Sequence, residues 1–384
     1  MIDCKALQNQ FEINIYPKRD VVLVRGENAS VWDDQGRAYI DCTAGHGVAS
    51  VGHANPQVVQ AIQKQAEQLI TCSSSFYNDA KAILLQKLTQ ITSPSLHRTF
   101  LCNSGAEAIE AAIKFARFTT KKASFICAKR GFHGRTLGAL SATFQPKYRE
   151  DFAPLVPGFS FVKYNDFETL QNAVTDDTAG IILEPVQGEG GVHVGDVTYF
   201  QKVRQLSDDK GLLLILDEIQ TGFCRAGKMF AFHHLGIEPD ILCLAKAMAG
   251  GLPVGAVVCN ERMDIPVGKH GSTFGGNPLV CAAANAAVDF MLNEKLDQQA
   301  EAKGNYLVQK LQAKNLTKVR EIRHLGLMIG VECKAKVSPV INQLMAAGIL
   351  TLPAGMTVLR LLPPLTISYE QLDMVADKLI QVLS

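Results

Sequence analysis

The sequence predicts an α/β protein built on a mostly parallel sheet. Three short apolar runs, Ile181–Leu183, Leu212–Leu216 and Ile241–Leu244, are suited to buried strands. A helical pattern over Tyr199–Lys210 separates two of them, which is the βαβ arrangement that joins parallel strands. From about Asn293 the pattern changes to an α+β layout. We therefore expect a large α/β domain followed by a smaller α+β domain.

The composition is that of an ordinary globular protein. The chain has 384 residues, 47% of them hydrophobic and 20% charged, with a formal net charge of +1. This balance gives no reason to expect a nucleic acid or an acidic membrane as partner. No run has the length of a membrane span, and the N-terminus lacks the apolar core of a signal peptide. The ten cysteines and nine histidines show no metal-site or disulfide spacing, so we expect a cytoplasmic protein with reduced thiols and no metal.

Changes of pattern divide the chain into three parts. Strand-like runs at Val21–Val24 and Val31–Trp32 predict a hairpin-rich N-terminal segment, residues 1–50, that packs with the small domain. Residues 51–292 would form the large domain, whose first helix, near Ala54–Ile70, starts around Pro56. Residues 293–384 would form the small domain.

A turn after the strand at Phe100 is suited to bind a phosphate. Asn103, Ser104, Gly105 and Ala106 lead directly into an amphipathic helix, so free N–H groups and a positive dipole end meet at the sheet edge. The same residues are also consistent with a plain helix cap by Ser104. The motif alone leaves both interpretations open.

Further candidate side chains follow two other strands. In the segment FHGRT, Phe132 could cover a flat ring and Arg135 could clamp a carboxylate through its planar fork. Glu184 ends the strand at Ile181, and Glu189 follows in the turn PVQGEGG. An ordinary surface arginine is the alternative for Arg135.

Asp217 and Lys246 stand at the carboxyl ends of two predicted parallel strands, where open α/β sheets bind ligands. A carboxylate there can keep a heteroaromatic nitrogen protonated, and a lysine can form a Schiff base with an aldehyde. Pyridoxal phosphate needs this pairing. Taken singly, the commoner interpretation is a turn cap for Asp217 and a solvated helix residue for Lys246.

The last candidates lie beyond that lysine. The loop GSTFGGNP offers Ser272 and Thr273 before an alanine-rich helix starting near Asn277, whose apolar surface must be buried in the domain or between subunits. Arg360 is the one charge in TVLRLLPPL, and a buried charge needs an acidic partner or a ligand. The glycine-rich loops match neither a dinucleotide fingerprint nor a P-loop, which argues against a dehydrogenase and an NTPase.

Several segments together resemble one enzyme family. They are NSGAEA, FHGRT, EPVQGEGG, LDEIQTGFCRAG, PDILCLAKAMAGG, GSTFGGNP and LRLLPP, in family order. From Tyr16 almost to the C-terminus the chain is similar to the class III (ornithine-type) aminotransferases. The resemblance implies fold-type I with a mostly parallel seven-stranded sheet, pyridoxal 5'-phosphate as cofactor and a homodimer that shares its active sites. Cys224 and Ala226 stand where the family often has glycine and threonine.

The resemblance also implies a role for each candidate. Lys246 would be the Schiff-base lysine and proton shuttle, and Asp217 would pair with the ring nitrogen. Other cofactor contacts would come from Ser104, Gly105, Ala106, Phe132, Gln220 and the partner subunit's Thr273. The substrate would meet Tyr16, Arg135, Glu184, Glu189, Ser272 and Arg360.

Two arginines and one acid would let a single pocket accept two unlike substrates. Arg360 would hold the α-carboxylate of glutamate or 2-oxoglutarate, Glu189 would neutralise it when an ω-amino donor is bound, and Arg135 would hold the other carboxylate. We therefore predict transfer of the terminal amine of N2-acetyl-L-ornithine to 2-oxoglutarate, in arginine synthesis.

Other substrates and activities stay open. The family resemblance is also consistent with a lysine or ornithine bound to an acidic amino-group carrier protein, as in lysine synthesis, with succinylornithine and with free ornithine. An aminomutase or racemase would have less use for Arg360, and a cofactor-free binding protein would have no use for Lys246.

Overall fold

The computed structural model describes residues 2–384. Its strands, in chain order, are β1 Leu23–Glu27, β2 Ser30–Asp33, β3 Ala38–Asp41, β4 Arg98–Cys102, β5 Ser124–Ala128, β6 Phe159–Val162, β7 Thr178–Leu183, β8 Val186–Gln187, β9 His193–Val194, β10 Leu213–Asp217, β11 Ile241–Leu244, β12 Gly255–Cys259, β13 Val319–Leu325, β14 Met328–Cys333, β15 Ile349–Leu350, β16 Leu352–Ala354 and β17 Val358–Leu361. The helices are α1 Cys4–Phe11, α2 Ala44–Gly47, α3 Pro56–Ala66, α4 Asp79–Ile91, α5 Gly105–Thr120, α6 Leu137–Ala142, α7 Pro146–Arg149, α8 Phe167–Asn172, α9 Val197–Lys210, α10 Phe232–Leu235, α11 Pro278–Asn293, α12 Leu296–Gln312, α13 Ser338–Ala346 and α14 Tyr369–Leu383. Short 3-10 turns lie at Glu150–Phe152 and Lys246–Ala249.

The central sheet has seven strands in the order β4-β12-β11-β10-β7-β5-β6. Strand β12 is antiparallel to both of its neighbours, and the other strands run parallel to one another. Strands β7, β10 and β11 are buried along their whole length, because helices cover both faces of a sheet of this kind. The predicted mostly parallel seven-stranded sheet is confirmed, and its carboxyl edge collects the turns that follow β4, β5, β7, β10 and β11.

Local sequence explains where the helices around this sheet begin. The Ser104 side chain accepts a hydrogen bond from the Glu107 N–H and so caps α5. Asn277 caps α11, and Pro278 occupies its first turn, where a missing N–H costs nothing. The predicted burial of the alanine-rich α11 occurs within the chain, because this helix packs against α3 and α4.

A second sheet, with antiparallel order β13-β14-β17-β16, forms the C-terminal part together with α12, α13 and α14. The N-terminal hairpins build a third sheet, β1-β2-β3-β15, in which Ile349 of β15 pairs parallel with Ile40 of β3. The N-terminal segment thus shares a sheet with the C-terminal part. The three domain boundaries stay a prediction. Within residues 2–384, no helix combines the length and the apolarity needed to span a membrane.

Candidate active site

A cavity of about 500 Å³ opens at the carboxyl edge of the central sheet. It brings together side chains and turns that are far apart in the sequence. The candidate residues that line it are Ser104, Gly105, Ala106, Phe132, Arg135, Glu184, Glu189, Asp217, Gln220 and Lys246.

Lys246 follows β11 and begins a 3-10 turn. Its backbone is left-handed, with φ of 42°, a conformation that a residue with a side chain adopts only when its surroundings impose it. Burial lowers the pKa of the Lys246 amine, against the opposing charges of Glu189 and Asp217. The neutral amine, which is the nucleophilic form, therefore forms more easily here than on an ordinary exposed lysine.

Asp217 ends β10 and forms a buried pair with His133. Its Oδ2 lies 2.7 Å from His133 Nδ1, and its Oδ1 accepts the Ile219 N–H at 3.1 Å. Burial opposes the charged form of His133, but the hydrogen bond and charge of Asp217 outweigh it, so the pKa of His133 is raised. Its Nε2 is buried without a hydrogen-bond partner in the described chain. The pair holds the Asp217 carboxylate in a fixed position at the base of the cavity.

His133 is a site residue that sequence reasoning missed. It lies inside the FHGRT segment, between Phe132 and the glycine that precedes Arg135. The pairing with Asp217 spans 84 positions, so no spacing rule could reveal it. The only available signal was a histidine next to Phe132 and two positions before Arg135, in the segment that follows a strand.

Glu184 and Glu218 are buried acids with different surroundings. Glu184 accepts the Phe132 N–H at 3.1 Å, and burial, together with the charge of Asp217, raises its pKa to about 8. Glu218 accepts the N–H groups of Ala231 and Phe232, both at 2.7 Å, and so fixes the turn after β10. Burial raises its pKa to about 7. Glu184 is thus part of the cavity, whereas Glu218 supports its wall.

The turn between β4 and α5 is closely packed around its backbone. A Cβ on Gly105 would lie 2.8 Å from Ile219 Cδ1, and one on Gly255 would lie 2.4 Å from the Ser104 carbonyl oxygen. Asn103 Nδ2 donates to Glu107 Oε2 at 2.9 Å and to Ser272 Oγ at 3.2 Å. The sixteen-residue helix α5 begins at Gly105, and its first residues line the cavity. The free N–H groups of such a helix start are suited to bind a phosphate.

A buried arginine approaches the cavity from the small sheet. Arg360, on β17, is 1% exposed; its Nη2 lies 2.5 Å from Glu189 Oε1, and its Nη1 donates to Gln220 Oε1 at 3.0 Å. The pKa of Glu189 is lowered because Arg360 outweighs the effect of burial. The Nε of Arg360 is buried and has no hydrogen-bond partner within residues 2–384. The acidic partner that the sequence requires for this charge is Glu189.

The remaining candidates lie at the rim of the cavity or outside it. Arg135 is exposed, and its guanidinium lies 3.8 Å from the centre of the Tyr148 ring. Ser272 lies behind the turn, in contact with Asn103. Tyr16 is 63% exposed and Thr273 is exposed, and neither lines the cavity in the single chain.

The sheet and its cavity define an enzyme of fold-type I that depends on pyridoxal phosphate. A buried lysine whose pKa is lowered, a buried carboxylate and a helix N-terminus meet at one sheet edge, and they fit the aldehyde, the ring nitrogen and the phosphate of this cofactor. Residues 15–383 match the family model described as aminotransferase class III. The chain belongs to the class III aminotransferases.

The comparisons with individual proteins agree with this family. The chain is 50% identical, over 99% of its length and 90% of the relative's, to a [LysW]-aminoadipate semialdehyde transaminase of Deinococcus radiodurans. It is 46% identical, over 98% of its length and 97% of the relative's, to an acetylornithine aminotransferase of Methanocaldococcus jannaschii. The crystal structure of the ornithine aminotransferase from Toxoplasma gondii superimposes with a TM-score of 0.95 at 34% identity, over 99% of this chain and 94% of that one.

Proposed function

We propose that the protein transfers the terminal amine of N2-acetyl-L-ornithine to 2-oxoglutarate, giving N-acetyl-L-glutamate 5-semialdehyde and L-glutamate, as a step of arginine synthesis. The single observation that carries this proposal is the ion pair between the buried Arg360 and the partly exposed Glu189, which lines the cavity. A carboxylate of a dicarboxylate substrate can replace Glu189 as the partner of Arg360, whereas an ω-amine donor needs the charge of Arg360 neutralised by Glu189. The pair therefore supports one pocket for both half-reactions.

The residues around the cavity support a division of roles. When bound, pyridoxal phosphate supplies an aldehyde for the incoming amine and a ring that takes up electrons. Lys246 would hold the cofactor and move the proton at the reacting carbon, because its pKa is lowered and its amine reaches the cavity. Asp217 would keep the ring nitrogen protonated, and His133 would hold the Asp217 carboxylate in place.

The other contacts follow from position. Ser104, Gly105 and Ala106 would bind the phosphate through backbone N–H groups, and Phe132 would cover the ring. Arg135, exposed at the cavity mouth, would bind the second carboxylate. The exposure of Thr273 supports its use by a neighbouring subunit, so we propose a homodimer in which the partner subunit's Thr273 joins each phosphate site.

A second candidate donor is an ω-amine carried on a small acidic protein. It is favoured by the 50% identity to a relative named for [LysW]-aminoadipate semialdehyde. Such a donor has no free α-amine and would also need Glu189 to neutralise Arg360. The two donors differ in what lies outside the cavity, where an acidic carrier would contact exposed basic side chains.

A donor panel tests both proposals. N2-acetyl-L-ornithine, L-ornithine, N2-succinyl-L-ornithine and a carrier-linked lysine are each supplied with 2-oxoglutarate, and glutamate is measured. We expect the acetylated donor to give the highest kcat/KM, and Lys246→Ala to abolish turnover with every donor. Preference for the carrier-linked donor would replace the first proposal with the second. Wild-type turnover by Lys246→Ala would refute the assigned chemistry.

A further inference from the structure

Three residues of the small sheet stand in one row across neighbouring strands. Arg323 of β13 pairs directly with Gly330 of β14, and Gly330 pairs directly with Arg360 of β17. Directly opposite residues in antiparallel strands point to the same face. Two arginine side chains therefore leave the same face of the sheet on either side of a residue that has no side chain.

The turn that carries Glu189 occupies the space above that glycine. We call residues 188–192 the Glu189 turn. A Cβ on Gly330 would lie 2.8 Å from Val192 Cβ and 3.3 Å from the Gly191 carbonyl oxygen, so only glycine lets the turn approach this closely. Val192 and Gly191 both have positive φ, of 57° and 122°. Glycine adopts such a backbone freely, but a β-branched residue such as Val192 keeps it only where its surroundings hold it.

Each arginine of the row holds a different part of the Glu189 turn. Arg360 binds the side chain of Glu189, while Arg323 donates from Nη2 at 2.9 Å and from Nε at 3.3 Å to the carbonyl oxygen of Gly191. The Arg323 side chain is 11% exposed, and its Nη1 is anchored 2.6 Å from Glu332 Oε2. The guanidinium is thus fixed on one side by the carboxylates of Glu332 and Glu321, and it holds the turn on the other side.

The other side of the Glu189 turn rests on the large sheet. Gln187 Nε2 donates to the Lys129 carbonyl oxygen at 2.9 Å, and a Cβ on Gly190 would lie 2.8 Å from the Arg130 carbonyl oxygen. The turn therefore lies between two supports. Arg323 is the support on the same sheet as Arg360, so it fixes the position of Glu189 relative to that arginine.

We propose that Arg323 is a positioning residue for substrate choice, which holds the Glu189 turn so that Glu189 stays against Arg360 while an ω-amine donor is bound. This inference rests on the proposed function of the Arg360–Glu189 pair. Without the hydrogen bonds from Arg323 to Gly191, the Glu189 side chain separates from the buried Arg360 guanidinium more often. A cationic donor then meets an unneutralised arginine, whereas glutamate gains a free carboxylate site.

The test compares two half-reactions of the holoenzyme, one with N2-acetyl-L-ornithine and one with glutamate. Each is measured by the change in absorbance of the bound cofactor. For Arg323→Met we expect kcat/KM for the ω-amine to fall about tenfold relative to that for glutamate, the size of one lost hydrogen bond to a charged group. Arg323→Lys keeps the cation but not the fork, and we expect it to recover part of this ratio.

Arg320→Met is the matched control. Arg320 also pairs with Glu332, at 3.0 Å, but it is largely exposed and, in the described chain, has no hydrogen bond to the Glu189 turn. It should leave the ratio of the two half-reactions unchanged. A ratio that falls equally in Arg320→Met would overturn the proposal, because loss of Glu332 pairing alone would then explain it.

A double-mutant cycle with Glu189→Gln shows whether Arg323 acts through Glu189. We expect Glu189→Gln to lower the ratio by itself and Arg323→Met to add less than about twofold in that background. The inference is refuted if Arg323→Met lowers the ratio as much in the Glu189→Gln background as in the wild type. It is also refuted if Arg323→Met lowers kcat/KM equally in both half-reactions. A wild-type enzyme that reacts with glutamate but with no ω-amine refutes the proposed function instead. If Arg323→Met does not fold, Arg323→Lys carries the same cycle.

Discussion

The His133–Asp217 pair gives the sharpest prediction for the chemistry. The two side chains are 1% and 5% exposed and lie 2.7 Å apart. His133→Leu leaves the carboxylate buried without its cation, and removal of one partner from a buried pair costs about 3 kcal/mol. When this free-energy cost adds to the activation free energy of the reaction, kcat drops about a hundredfold. His133→Asn can still donate to Asp217 and should recover about half of the lost free energy.

A second pair in the chain provides the matched control. His53 Nε2 lies 2.7 Å from Asp41 Oδ2, and its side chain does not line the cavity. The assay measures kcat with saturating amine donor and 2-oxoglutarate, together with the free energy of unfolding in urea. His53→Leu should lower the free energy of unfolding but keep kcat within about twofold. Equal losses of kcat in both variants, or an unchanged kcat in His133→Leu, would refute the reasoning.

The pH dependence of stability checks the charge of His133 separately. Because its pKa is raised above the ordinary 6.5, the stabilisation from its charged form is fully present below about pH 6.5 and is lost as the pH rises through the raised value. The difference in unfolding free energy between the wild type and His133→Asn should therefore be larger at low pH than at high pH. A difference that grows with pH would show that His133 is neutral in the folded chain.

Two further predictions concern the cavity wall. Burial raises the pKa of Glu184 to about 8, so the folded chain keeps this proton at pH values where the unfolded chain has lost it. The stability of the fold is therefore highest below the unfolded pKa of Glu184 and falls as the pH rises toward 8. The free energy of unfolding of the apoprotein, measured in urea, should therefore fall between pH 5 and 8. Glu184→Gln should make this fall less steep, by up to about 1.4 kcal/mol per pH unit. An unchanged slope would contradict the raised pKa. Gly105→Ala would press a Cβ against Ile219, so we expect about tenfold weaker pyridoxal phosphate binding in a spectroscopic titration, relieved when Ile219→Ala makes room. Unchanged binding would show that Ile219 yields freely.

Much of the fold follows from the sequence because buried parallel strands are apolar throughout and end abruptly. Asp217 and Lys246 could be located at strand ends in this way, and Arg360 required a partner because it was the one charge in an apolar run. The strand register that places Arg323, Gly330 and Arg360 in one row could not be predicted. Register depends on cross-strand packing, and no local pattern in these segments records it.

In the function that we propose, the arrangement of arginines separates chemistry from substrate choice. Lys246 and Asp217 stand at the edge of the central sheet, whereas Arg360 belongs to the small sheet and contacts the cavity-lining residues Glu189 and Gln220. Between the sheets, the fully buried Arg225 donates to the carbonyl oxygens of Leu327 and Pro363, at 3.1 and 2.6 Å. Removing such a donor would leave buried carbonyl groups unpaired, so this junction resists opening. With the sheets held together there, the proposed substrate choice needs no movement of one sheet against the other. It needs only the Glu189 side chain to leave Arg360, on a turn whose backbone Arg323 keeps in place.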